Sequence, residues 1–164
     1  MSLILRGITS IKIGTPAAGN GMSAALAALG KTYKGTAKIT FPEASTTEKW
    51  NEEDDDPFLT LKKSLAKTFE WEIYDFDNAN LVTLFGGTAV AGPPKAWEAP
   101  SAQPDVFQSI EITDKNGATI KIPYADIVAS MDATFDSEDV ARIKIKATVL
   151  APDSEPAITI TEAA

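Results

Sequence analysis

Four short stretches of the chain carry residue types that could do chemistry. Gly30-Lys31-Thr32 has the tail of a phosphate-binding loop, in which backbone N–H groups cradle phosphates and the lysine reaches them. The motif's first glycine is absent, because Ala25 stands there. The residues before it, Met22–Leu29, have the Ala/Leu composition of a short helix, with Ser23 as N-cap and Gly30 as C-cap. A helix end is therefore the plainer reading. Gly19-Asn20-Gly21-Met22-Ser23-Ala24 fits a dinucleotide fingerprint, and Glu43 sits at the distance of a ribose ligand. The first glycine falls six residues after Ile13, too late for a tight strand-to-helix turn, and no βα alternation follows. Glu52–Asp56 offers oxygen ligands for a hard cation, without the spacing or the glycine of a calcium loop. A solvated charge run, or a loop that meets a basic partner, are the competing readings, and Trp50 beside the acids favours the interface. Glu70 and Glu72 share a strand face, where a glycosidase pair would need a sugar cleft between them. A solvent-facing or lumen-facing surface explains them without catalysis.

Composition narrows the field further. The chain has 164 residues with neither cysteine nor histidine. Disulfides, thiolate nucleophiles, zinc-finger ligand sets and histidine-based catalysis are excluded. No catalytic residue, cofactor or metal is expected. The net charge of −8, from 23 acids and 15 bases, disfavours tight nucleic-acid binding. No apolar run is long enough for a membrane helix, so no membrane anchor is expected. The N-terminus, Met1–Ile13, is too polar for a signal peptide, and synthesis in the cytoplasm is the expectation.

Period-two alternation places strands over Leu3–Ile13, Thr32–Phe41, Thr60–Asp75, Val106–Asp114, Ala118–Pro123, Ile127–Phe135 and Arg142–Leu150. In Thr60–Asp75, Phe69, Trp71 and Ile73 oppose Glu70, Glu72 and Tyr74. Lys115-Asn116-Gly117 marks a hairpin turn. Asp77–Phe85 reads as a short helix with Asp77 as N-cap and Gly86-Gly87 as the stop. Thr88–Pro104 reads as loop with an extended piece around Trp97. Glu43–Pro57 holds seven acids against Lys49, so −6 of the −8 lies there, and like-charge repulsion predicts a long exposed loop. After Pro152, Ile158–Thr161 is either a last edge strand or part of a tail. The sum is a single mainly β domain of roughly six or seven strands and two short helices, an antiparallel, half-solvated sheet pair.

The order of these pieces resembles a known family. TAKITFPEASTTEKWNEEDDDP (Thr36–Pro57), the strand and helix KTFEWEIYDFDNANLVTLFGG (Lys67–Gly87), Trp97–Pro100, the hairpin VFQSIEITDKNGATIKIPYA (Val106–Ala125) and ATFDSEDVARIKIKATVLAP (Ala133–Pro152) are similar to the major tail tube proteins of bacteriophages. By extension they resemble the tube proteins of contractile tails and type VI secretion. The resemblance spans roughly Ile8–Pro152 and implies an antiparallel β-sandwich or barrel-like pair of sheets with one or two short flanking helices, in a subunit that assembles into hexameric rings stacked as a hollow tube. It implies self-association, contact with other tail proteins such as tape measure and terminator, and location in the virion. It also implies that DNA passes through without specific binding.

On this resemblance the long loop, Pro42–Pro57, reaches a neighbouring subunit or ring. The candidate contact residues are Glu43, Trp50, Glu52, Glu53, Asp54, Asp55 and Asp56. Met1–Gly7 and Pro152–Ala164 are candidate flexible arms between rings. The Met22–Gly30 segment has no counterpart in the family pattern. A carboxylate-rich lumen would repel phosphates, and open strand edges would be completed by neighbours around a closed ring. The alternative is a monomeric β-rich binding module for carbohydrate or a cell surface, with Trp50, Trp71 and Trp97 as sugar platforms.

Overall fold

A computed structural model describes residues 3–164, so Met1 and Ser2 of the expected N-terminal arm lie outside the described residues. The chain is mainly antiparallel β, with thirteen strands and one α-helix among the described residues. The strands are β1 (Ser10–Gly14), β2 (Ala27–Ala28), β3 (Lys31–Thr32), β4 (Lys38–Thr40), β5 (Ser45–Lys49), β6 (Leu59–Lys63) and β7 (Thr68–Asp75). After the helix α1 (Asn78–Phe85) come β8 (Thr88–Val90), β9 (Ala96–Glu98), β10 (Val106–Thr113), β11 (Thr119–Asp132), β12 (Arg142–Val149) and β13 (Thr159–Thr161).

Nine strands form one sheet, along the path β2-β1-β10-β11-β12-β7-β3. Its two ends, β2 and β3, are separated by only Leu29 and Gly30. One segment therefore pairs with β1 through Ala27 and Ala28 and with β7 through Lys31 and Thr32, and the path closes into a barrel-like wall. Gly30 makes this possible. It has φ +59°, and an added Cβ would run into the carbonyl oxygen of Asp75, so the strand can turn there only without a side chain. The expected helix over Met22–Leu29 is absent. Eight residues is a marginal length for a helix by itself, and β1 offers backbone partners at Lys12 and Ile13 instead. Ser23 does not cap a helix: its Oγ accepts from Ala25 N at 3.3 Å, and its N–H donates to Ser109 Oγ at 3.0 Å.

The alternation in β7 predicts its faces correctly. Phe69, Trp71 and Ile73 are buried, and Phe69 stacks on Trp71 at 4.8 Å. Across the sheet Trp71 sits opposite Ile145, and Ile73 opposite Ile143. Ile73, Ile110, Ile122 and Ile143 are fully buried, each contributing roughly 1.5–3 kcal/mol. α1 forms as expected, with Asp77 Oδ1 accepting from Asn80 N at 2.9 Å and Gly86 ending it at φ +76°. Leu81 and Leu84 face the core. Trp97 Nε1 donates to the Gly86 carbonyl at 2.9 Å and holds the helix end. The extended piece around Trp97 is β9, paired with β8.

Five expected strands have different limits, and Leu3–Ile13 is strand only from Ser10, as β1. Thr32–Phe41 divides at a turn where Thr36 Oγ1 donates to the Tyr33 carbonyl and Gly35 has φ +81°. Thr60–Asp75 divides into β6 and β7. The strands on either side of Pro123 are instead one strand, β11, running straight through it. Its register with β10 shifts between Gln108 and Ile110, and a bulge tolerates a residue with no N–H. Ser109 Oγ fills the irregularity by donating to the Pro123 carbonyl at 2.6 Å.

The β10–β11 turn is organised by Asp114. Its carboxylate accepts from Asn116 N and Ala118 N at 2.9 and 2.8 Å, and from Arg6 N at 3.2 Å. Burial pushes this carboxyl up, but backbone N–H groups of Arg6, Ala118, Asn116 and Gly117 outweigh it and hold it below the usual carboxylate range. Asn116 Nδ2 also donates to the Ile4 carbonyl. The N-terminal segment is thereby tied to the body. At the other terminus β13 pairs with β11, Asp153 N donates to the Gly19 carbonyl, and Met22 N donates to Glu155 Oε2. Ile158–Thr161 thus supplies an edge strand.

Candidate assembly interface

The segment expected as a loop, Pro42–Pro57, is the first half of a hairpin. β5 and β6 pair from Ser45↔Lys63 to Lys49↔Leu59, and Phe58 N donates to the Lys49 carbonyl at 3.0 Å. Like-charge repulsion does not open the whole segment, because its charge is unevenly spread. β5 contains one acid and β6 none, while Glu52–Asp56 all lie in the tip. There Asn51 and Asp54 bond each other twice, through Nδ2 to Oδ2 and from Asp54 N to Oδ1, both at 2.9 Å.

The structure brings Trp50, Glu52, Glu53, Asp54, Asp55 and Asp56 together at this tip, all exposed. Glu43 lies apart, between β4 and β5 at the root. Sequence reading missed the apolar half of the arm. Phe58 is 64% exposed, and Leu59 and Leu61 lie on one face with exposures of 45% and 49%. The alternation Leu59-Thr60-Leu61-Lys62 was the available signal. β5 and β6 pair only with each other, so both outer edges of the arm are open. In the body, closure through β2 and β3 leaves open edges at β4, β13, the end of β1 at Ser10 and Ile11, and the separate two-stranded sheet β8–β9. Open edges therefore occur on the arm and on the body.

The other chemistry-bearing stretches are dispersed. Gly30 leads directly into β3, which is Lys31–Thr32 itself, with no helix after it, and Lys31 Nζ is 3.9 Å from Asp75. Gly19–Ala24 holds a 3-10 turn and likewise leads into no helix. Glu70 and Glu72 each face a cation, with Lys146 at 3.9 Å and Arg142 at 3.1 Å. Lys38 and Lys144 complete that outer face, which is mixed in charge. The carboxylate excess sits on the arm and not on this sheet face. Among the tryptophans only Trp50 is open. Trp71 is in the core with 1% exposure and presents no face to a ligand, and Trp97 is half-buried against α1.

No family model matches the chain, and no curated protein matches it. Among the described residues no helix is long and apolar enough to cross a membrane.

Proposed function

We propose that this chain is a structural subunit of a phage or prophage tail tube, self-assembling into stacked hexameric rings that conduct DNA, with no catalytic role. The resemblance of Ile8–Pro152 supports the reading. The observation that carries it is the arm, a hairpin paired with nothing, exposing Trp50, Phe58, Leu59 and Leu61 beside five carboxylates. A two-stranded hairpin is marginal in water by itself, and one with exposed apolar groups and two open edges is an unfinished surface. Identical subunits related by a closing rotation complete such surfaces, and axial repetition of the ring makes a tube. Tape measure and terminator proteins are the expected further partners. Assembly in the host cytoplasm and residence in the virion follow from this role.

Negative-stain microscopy of concentrated protein tests the proposal, and rings or tubes are the expected result. A chain that stays monomeric by light scattering across concentration and salt overturns it.

A further inference from the structure

The barrel wall closes over only part of its height. β2 pairs with Lys12 and Ile13 of β1, leaving Ser10 and Ile11 without a neighbour on that side, and β4 pairs with β7 alone. Both incomplete edges line one groove of about 900 Å³. The apolar groups open at its mouth are Leu5 and Tyr74, with Ile8, Tyr33 and Ile39 half-buried beside them, over the buried core residues Ile11, Phe69, Ile112 and Ile120. Its rim is basic, with Arg6, Lys31, Lys34 and Lys115. Among the described residues only Lys31 of these four has a carboxylate within 4 Å, Asp75. The one acid on the rim, Asp114, turns its oxygens to backbone N–H groups.

Apolar groups inside a cationic rim select an occupant with apolar side chains and surrounding negative charge. The arm tip has that composition. Between Trp50 and Phe58 stand five acids and no base, and both aromatic side chains are exposed. We propose that the groove of one subunit receives the acidic arm tip of a second copy of this chain. The aromatic groups sit against Leu5, Ile39 and Tyr74, and the carboxylates meet Arg6, Lys31, Lys34 and Lys115. The six residues Ser45–Trp50 span on the order of 20 Å, enough to leave one body and enter the next. The contact is heterologous, as ring or stack formation requires. This inference rests on the assembly reading above and names the surface that receives the arm.

Charge exchange tests it, using the full chain. One variant carries K31E, K34E and K115E; another carries E52K, E53K, D54K, D55K and D56K. The altered side chains lie on the rim and the tip, so unchanged circular dichroism and melting are the check that both fold. Each variant alone is expected to raise the protein concentration needed for assembly by at least about tenfold, because tip and groove then repel. Mixing the two restores assembly, since each tip now meets an opposite groove. If either variant alone assembles like the parent, or the mixture does not recover, the groove assignment is overturned while the parent's own assembly stands. If the parent never assembles, the subunit reading itself has failed and this inference with it.

A second measurement uses the absence of native cysteine. D54C protein mixed with K34C protein is expected to give a mixed disulfide dimer on oxidation. Homodimers alone would overturn the contact. A D54C/K34C double variant that closes only within one chain would show the arm folded onto its own groove, which also overturns it.

Discussion

The body and the arm are built from the same kind of element, yet they obey opposite rules. In the body, strands such as β7 and β12 bury most of one face, and the wall nearly closes on itself. In the arm, every residue of β5 and β6 is exposed. A strand's stability comes from what covers its faces and edges and not from its own pairing. The body buries its core within one chain. On the proposed reading, the arm's cover comes from a second copy.

The sharpest way to test this contrast is to compare tryptophans. Trp71→Ala opens a cavity beside Phe69 and Ile145, and a loss of about 3–5 kcal/mol is expected by denaturant titration. Trp50→Ala leaves the monomer within about 0.5 kcal/mol of the parent, while weakening assembly. Equal effects on monomer stability would erase the distinction between the two regions.

Next in size is the closure. Gly30→Ala forces a side chain onto a left-handed backbone and into the Asp75 carbonyl. A loss of at least about 1–2 kcal/mol is expected, with faster hydrogen exchange at Thr32 and Tyr33, whose segment pairs with β7. Protection unchanged at these amides would mean the wall does not depend on that turn.

Asp114 sharpens the comparison through pH. Its carboxyl is held below its ordinary value, so its contribution is fully present above the unfolded value, roughly 3.9. That contribution is lost as pH falls from there through the lower native value. Asp114→Asn is therefore expected to lower the melting temperature at pH 7, and the gap to the parent should shrink below about pH 4. A gap independent of pH would show that the turn is held by shape and not by charge.

The smallest effect on folding belongs to the acid tip. Replacing Glu52, Glu53, Asp54, Asp55 and Asp56 by their amides is expected to change monomer stability by no more than about 0.5 kcal/mol. The same variant should alter assembly, read by sedimentation, and unchanged assembly would remove the tip from the interface.

Much of this architecture is legible in the residues. Period-two alternation identifies the buried face of β7, β10 and β12, because a side chain's face in a strand depends only on parity. Asp77 and Gly86 mark the ends of α1, because caps act through local hydrogen bonds and local dihedrals. The exposed acidic segment is legible too, because five adjacent like charges cannot be buried together.

Other features were settled by contacts between residues distant in sequence. Ala/Leu composition favours a helix at Met22–Leu29, and only the offered edge of β1 makes it extended. Gly30 has the positive φ expected of it, but for the closure of a wall and not for the end of a helix. Pro123 reads as a strand breaker until the bulge at Ser109 removes the need for its missing N–H. The groove is the clearest case. Arg6, Lys31, Lys34 and Lys115 are scattered along the chain, and no local pattern links them. They share a rim because the strand path brings the N-terminal segment, the closing segment and the β10–β11 turn to one opening. Parity and capping are properties of neighbours in sequence, whereas closure and complementarity are properties of surfaces that exist only once the chain has folded.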